Sequence, residues 1–224
     1  MKKIIEEKLS IRAFELVVAA YYEFKRFKTR LFQTKKLSIP KLKKLHLGSG
    51  ARKIQGWLNV DLTDSDYDLD LTYKLPWVDN SFDFVVSQHF IEHLTAEDEL
   101  KPLFIELQRV VVSKGEMWLT TPDLEKLCNS YLNHKCEDLV EDRKTRMKNW
   151  SLNGFPSQHF MNDLFKHSGA HRNLFDFELL EWMLLEAGFS KVERTEEKEL
   201  LAKFPEIPKR GDDKQALYVK VTNQ

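Results

Sequence analysis

The chain has 224 residues and a formal charge of zero, from 35 basic and 35 acidic side chains, enough length for one domain with a sizeable core. The charge is uneven: residues 1–44 hold 13 Lys/Arg and 4 Asp/Glu and the rest holds 22 and 31, a basic arm on an acidic body. Such a body repels phosphates, which argues against nucleic acid as its substrate, and two cysteines, Cys128 and Cys136, are too few for a disulfide framework and wrongly spaced for zinc.

The first predicted element is a helix over residues 3–32, in which Phe14, Val17, Tyr21, Phe24 and Leu31 recur at helical spacing with no Gly or Pro between them. Its apolar run, Phe14 to Tyr22, is bracketed or interrupted by Arg12, Glu15 and Glu23 and is too short to span a bilayer. No small-residue cleavage site follows, so a cytoplasmic protein in a reducing compartment is expected. Lys25, Arg26, Lys28, Arg30, Lys35 and Lys36 crowd the far end. This basic amphipathic segment, residues 1–40, is expected to pack on its own acidic body; peripheral membrane contact and a homodimer interface are the alternatives. Ser38-Ile39-Pro40 marks the linker.

From Lys43 onward strands and helices alternate. Leu45–Leu47 and Leu58–Asp61 read as strands, and an acidic loop through Asp64, Asp66, Asp68 and Asp70 leads to Leu75-Pro76-Trp77. Phe82–Ser87 is a buried strand. A helix is predicted from about Ala96 to Val112, with Asp98 and Glu99 in its first turn and Lys114-Gly115 ending it. Glu116–Thr121 is the next strand. Residues 124–170 are polar, mostly helical, and read as an insertion. Phe177–Ala187 is an amphipathic helix stopped by Gly188, and the strands Lys191–Arg194 and Ala216–Val221 finish the chain. Alternation of this kind predicts a mostly parallel, doubly wound α/β sheet.

The chemistry begins at Leu45-His46-Leu47-Gly48-Ser49-Gly50 and Trp57-Leu58-Asn59-Val60-Asp61. Glycines allow a sharp turn close to a ligand, and an acid ending the next strand can accept hydrogen bonds from a ribose diol. The pair predicts a nucleoside-bearing cofactor. A dinucleotide fingerprint would need a third glycine where Lys53 stands and an acid further on than Asp61. A phosphate loop would need Gly-Lys-Ser/Thr. A calcium loop over Asp64, Asp66 and Asp68 lacks the glycine, replaced by Leu69, and the closing glutamate, replaced by Leu75.

At these residues the chain resembles the class I S-adenosylmethionine-dependent methyltransferases, in particular the small bacterial type-11-like group. Further blocks follow in the family's order: Asp70-Leu71; Leu75-Pro76-Trp77-Val78-Asp79-Asn80-Ser81-Phe82-Asp83-Phe84-Val85; Ser87-Gln88-His89-Phe90-Ile91-Glu92-His93-Leu94; Glu106-Leu107-Gln108-Arg109-Val110; and Ala187-Gly188-Phe189. The resemblance implies a Rossmann-like methyltransferase domain over residues 41–224, with a seven-stranded sheet whose last strand is antiparallel. It implies S-adenosyl-L-methionine held by Leu47, Gly48, Ser49, Gly50, Asp61, Leu62, Asp70, Leu71, Gln88 and His89: methionine part at Gly48 and Gly50, ribose at Asp61, adenine at Asp70 and Leu71. The chain departs from the family at His46, where an acid is usual, at Arg52, where a third glycine is usual, at Lys114-Gly115-Glu116, and in a first helix squeezed into Ala51–Gln55.

Methyl transfer to a hydroxyl needs a base, and His93, His89 and His171 are the candidates. A small-molecule or sugar hydroxyl is the expected acceptor, with the insertion shaping its site. A non-catalytic cofactor-binding protein of the same fold is the alternative. His89-Phe90-Ile91-Glu92-His93 also fits H-x-x-E-H, the inverted zinc-protease pattern; its place directly after a strand argues against a zinc hydrolase, and no metal is expected.

Overall fold

The computed structural model describes residues 10–33, 39–166 and 170–224. A long helix, α1 (Ile11–Gln33), precedes the sheet; the expected start of this helix at residue 3, together with Lys35 and Lys36, lies outside the described residues. Its inner side meets the acidic body through two guanidinium–carboxylate pairs, Arg26 Nη1 to Glu99 Oε1 and Arg30 Nε to Asp70 Oδ2, both 2.6 Å. Its outer side leaves Leu16, Val17, Phe24 and Phe27 exposed.

Seven strands follow: β1 (Lys44–Leu47), β2 (Leu58–Asp61), β3 (Tyr67–Asp68), β4 (Phe82–Gln88), β5 (Val111–Pro122), β6 (Lys191–Thr195) and β7 (Ala216–Thr222). They form one sheet in the order β3-β2-β1-β4-β5-β7-β6, with β7 antiparallel to both β5 and β6 and the remaining pairs parallel. The chain reverses direction across the sheet between β1 and β4, and in open α/β sheets ligands bind outside the carboxyl ends of strands at that switch point.

Each face of the sheet is covered differently. Leu45, Leu47, Val85, Met117 and Val219 point to one face, where they pack on α2 (Lys101–Val110) through Leu103, Phe104 and Leu107 and on α6 (Phe177–Glu186) through Leu180 and Leu184. Val86, Trp118 and Tyr218 point to the other, against Ile54, Trp57, Phe204 and Leu200 of α7 (Glu197–Lys203). No helix forms between β1 and β2. Trp57 and Phe204, with ring centroids 5.2 Å apart, fill that space, and His46, Asn59 and Asp66 tie the turn: buried His46 Nδ1 donates to Asn59 Oδ1 at 2.9 Å, and Asn59 Nδ2 donates to Asp66 Oδ2 at 2.7 Å. Burial holds the His46 imidazole below its ordinary pKa, hence neutral. The histidine that departs from the family pattern thus has a structural use.

The helix predicted over 96–112 begins differently and ends sooner. Ala96–Leu100 is a single wide turn, and α2 starts at Lys101 because Pro102, which has no N–H to lose, suits a first helical position. It ends at Val110, and Val111 already pairs with Phe82. Lys114, at φ 61°, and Gly115 therefore make a kink inside β5 and do not end a helix. A Cβ on Gly115 would lie 2.6 Å from Val111 Cγ1, so no larger residue fits.

The insertion contains α3 (Leu124–His134), α4 (Glu137–Arg146) and α5 (His159–Lys166), packed on their own small core of Leu127, Cys136, Leu139, Val140, Phe160 and Leu164. Asp123 caps α3, its Oδ1 accepting from the amides of Glu125 and Lys126. Buried Arg143 joins the insertion to the loop before β7, donating to Gln215 Oε1 at 2.9 Å.

Candidate active site

Leu47 ends β1, is fully buried, and is followed by Gly48 at φ 61°. A Cβ built on Gly48 would lie 2.4–2.6 Å from Cγ, Cδ2 and Cβ of Phe90. The first glycine of the turn is therefore forced by Phe90, which follows β4, as much as by any ligand. The Ser49 amide donates to Val60 O at 3.1 Å, closing the turn onto β2. The Gly50 amide donates to Asp61 Oδ2 at 2.8 Å and the Leu62 amide to Asp61 Oδ1 at 2.6 Å. Asp61 is thereby aimed, partly exposed, into a cavity of about 530 Å³ whose walls include Tyr22 of α1, Gly50, Lys53, Leu62 and Asp64.

Among the described residues, several buried side-chain atoms at this edge have no hydrogen-bond partner: Ser49 Oγ, Ser87 Oγ, Gln88 Nε2, Glu92 Oε2, Thr121 Oγ1 and Asp123 Oδ2, the last 3.9 Å from Lys126 Nζ. They lie at or just beyond the carboxyl ends of β1, β4 and β5. Buried polar atoms are nearly always paired, so these groups at the strand ends are the candidates for contact with a ligand.

His89, at φ 56°, has both ring nitrogens engaged: Nδ1 with Glu92 Oε1 at 3.2 Å and Nε2 with Asp212 Oδ2 at 2.8 Å. Asp212 also accepts from Tyr218 Oη at 2.6 Å and from Arg210 Nε at 3.2 Å. Burial works against a charged imidazole, but the hydrogen bonds to Asp212 and Glu92 outweigh it and raise the His89 pKa above its ordinary value. The same contacts hold Asp212 and Glu92 below the usual carboxylate range despite their burial, while burial and Asp212 push the Tyr218 hydroxyl far up. Carboxylate oxygens only accept, so a ring held between two of them favours the doubly protonated form, which has no lone pair to offer. The expectation that it serves as a base conflicts with this role.

His93 lies in the short 3-10 turn Ile91–His93. Its Nδ1 is 3.1 Å from Ala170 O, and its ring centroid is 4.9 Å from that of His171. The segment after the insertion is fastened here: the amides of Arg172 and Asn173 both donate to Glu92 O, at 2.8 and 3.2 Å. Two of the three predicted histidines are thus brought together and the third is set apart. His93 does not share a site with His89, because His89 is spent on Asp212; the zinc-protease pairing of those two residues does not form.

Asp70 and Leu71 are buried. Asp70 Oδ2 accepts from Arg30, Oδ1 accepts from Thr72, and its main chain is bracketed by the Gln33 amide group, which accepts from Asp70 N at 3.0 Å and donates to Asp70 O at 2.9 Å. The carboxylate expected beside adenine is instead the joint that seats α1. Removing Arg30 leaves that buried carboxylate with Thr72 alone, so Arg30→Ala should lower unfolding free energy by about 1–3 kcal/mol and expose α1 to protease. An unchanged denaturation midpoint with an equally protected α1 would show that the pair does not hold the helix.

Residues 47–119 match a family described as a methyltransferase domain. That similarity runs from the end of β1 into β5. Among curated proteins nothing matches the chain. Among solved structures, an S-adenosylmethionine-dependent methyltransferase from Mesorhizobium loti is 17% identical over 83% of this chain and 92% of its own, with a TM-score of 0.45. One from Archaeoglobus fulgidus is 15% identical over 90% and 94%, at 0.47. Phosphoethanolamine N-methyltransferase 2 of Haemonchus contortus, in complex with S-adenosyl-L-methionine, is 14% identical over 88% of this chain and 51% of its own, at 0.43. The matched stretch of the methyltransferase domain holds the glycine turn, Asp61, Gln88, His89 and His93. It leaves out α1, the insertion, His171 and Asp212. Sequence reading passed over Arg30, Gln33, Arg210, Asp212 and Tyr218 as participants, since they reach the site from segments with no motif of their own. Among the described residues, no helix is long and apolar enough to cross a membrane.

Proposed function

We propose that the protein transfers the methyl group of S-adenosylmethionine to a hydroxyl of a small molecule or sugar, in the cleft between the ends of β4 and β5 and the helical insertion. The observation that carries this reading is the cluster of unpartnered buried polar atoms at the carboxyl edge, next to the oriented carboxylate of Asp61. Asp61 suits a ribose diol, since its two oxygens are fixed by amides and its outer lone pairs face the cavity. Gln88 Nε2 and Ser49 Oγ supply further polar contacts along the cofactor. Leu62 lines the same cavity.

When bound, the cofactor supplies an electrophilic methyl on a sulfonium. The residues' task is to hold the acceptor oxygen in line with it and exclude water. The acceptor must lose a proton, and His93 is the histidine placed for this. A carbonyl oxygen only accepts, so the contact with Ala170 O puts the proton of a neutral ring on Nδ1 and leaves the lone pair on Nε2.

Calorimetric titration with S-adenosylhomocysteine tests the cofactor half of the reading. Micromolar binding is expected, surviving chelator treatment. Asp61→Ala should weaken it by roughly 10–100-fold, the loss of charge-assisted hydrogen bonds worth about 1.5–3 kcal/mol. Equal affinity in wild type and variant would remove Asp61 from the site.

A further inference from the structure

Glu92, His93 and His171 each present one potential ligand atom, all within 4.8 Å of one another. We propose that these three side chains form a binding site for a divalent transition-metal ion of the zinc class.

The donor set is the first argument. Two imidazoles and one carboxylate make a three-ligand zinc site that keeps a further position open, whereas hard ions such as magnesium prefer oxygen alone. The carboxylate is the second. Glu92 is 1% exposed; its Oε1 is held by His89 Nδ1, and its Oε2 is buried with no hydrogen-bond partner among the described residues. A buried carboxylate oxygen left unpaired is costly, and a cation beside it removes that cost. The third is the orientation of His93. Metal-bound histidines commonly donate their other ring N–H to a backbone carbonyl, which fixes ring and tautomer, and His93 Nδ1 meets Ala170 O in this way.

The ligands are also preorganised. Glu92 and His93 are adjacent in one short turn, and the amides of the two residues after His171 both donate to the carbonyl of Glu92 itself. Zinc bonds of about 2.0–2.2 Å place tetrahedral ligand atoms about 3.4 Å apart. Closing to that distance needs rotation of His93 and His171, both partly exposed, while Glu92 stays fixed. The site is not the H-x-x-E-H pairing of the sequence: His171 takes the place of His89, which supports Glu92 from behind.

Its use in catalysis rests on the methyl-transfer reading above. A hydroxyl bound at the open position would release its proton to solvent more readily. Its oxygen would then bond to the methyl carbon as the methyl–sulfur bond breaks and that electron pair returns to sulfur. With the ion bound, His93 serves the acceptor through the cation; only in the metal-free protein is its Nε2 the base.

The full-length chain, stripped with chelator, is titrated with Zn2+ by calorimetry and with Co2+ by visible absorption. The expected result is one Zn2+ per chain, with Co2+ bands of a four- or five-coordinate site. His171→Ala should weaken Zn2+ by roughly tenfold or more and abolish those bands, with circular dichroism and S-adenosylhomocysteine binding retained; His134→Ala, on α3, should change neither. Absence of stoichiometric binding in the wild type, or binding that persists in both His171→Ala and His93→Ala, overturns the site. Metal binding as expected with no S-adenosylhomocysteine binding would instead overturn the methyl-transfer reading and leave the metal site standing.

Discussion

Gly48→Ala should be among the most damaging single-methyl changes in this chain. The residue sits at φ 61°, and the new Cβ would lie 2.4–2.6 Å from three atoms of Phe90, including that residue's own Cβ, which cannot swing away. The left-handed backbone costs an alanine about 1–2 kcal/mol, and overpacking adds about 1–3, so a loss of about 3 kcal/mol is expected. For a domain of this size that is a fall of roughly 6–12 °C in Tm. Because Gly48 opens the turn whose Gly50 amide orients Asp61, S-adenosylhomocysteine affinity should fall with stability. Phe90→Ala in the same chain removes the ring contacts but keeps the Cβ at 2.6 Å, so it should recover only part of the steric cost and none of the backbone cost, a favourable coupling of about 1 kcal/mol. Additive effects of the two substitutions, or a Gly48→Ala protein within 0.5 kcal/mol of wild type by denaturant titration, would show that the turn and Phe90 are not in contact.

The sheet was legible where strand periodicity and burial agree. Leu58–Asp61 has the bounds read from its residues, and β1 and β4 each differ by one residue at an end. The resemblance supplied what periodicity cannot, the antiparallel last strand. Two elements carried too little signal. β3 is only Tyr67–Asp68, both exposed, in an acidic stretch that reads as loop. α7 has a strongly charged sequence, and its inward side rests mainly on Leu200 and Glu197, the latter buried because it accepts from the amides of Arg210 and Gly211. The Lys114-Gly115 pair misled because Gly after a helical pattern usually ends a helix, whereas here its missing side chain makes room for Val111.

The candidate site was legible in its local parts and not in its long-range ones. Gly50 and Asp61 are close in sequence and meet through one amide–carboxylate hydrogen bond. His89 and His93 are equally close, yet they part company because what each touches is decided elsewhere: Asp212 captures one, and the chain around Ala170 and His171 meets the other. A four-residue spacing says only that two side chains can share a helical face. The observed turn is 3-10 and three residues long, and the helical inference fails there. Asp70 shows the same limit. Its motif position suggests a ligand contact, but a basic helix from outside the motif blocks claims its carboxylate.

The His89 bridge gives the clearest pH signature. Asp212 has its pKa depressed below its ordinary 3.8, so its contribution is present above that value and fades as pH falls through the lower, folded one. His89 has its pKa raised above its ordinary 6.5, so its contribution is complete below 6.5 and is lost as pH rises through the folded value. The groups facing the imidazole are Glu92, Asp212 and, with opposite effect, Arg210. Together they predict greatest stability from about pH 4.5 to 6.5, with a decline as pH rises through the folded His89 value. Asp212→Ala removes the acceptor of both His89 and Tyr218 and should cost about 3–5 kcal/mol at pH 6, the range for breaking a buried pair by deleting one partner. His89→Asn suits the left-handed backbone at φ 56°, so it should fold, be less stable at pH 6, and lose the alkaline decline. Parallel stability curves for wild type and His89→Asn between pH 6 and 9 would mean that the imidazole is not charged in the folded protein. The bridge would then hold Glu92 by hydrogen bonding alone.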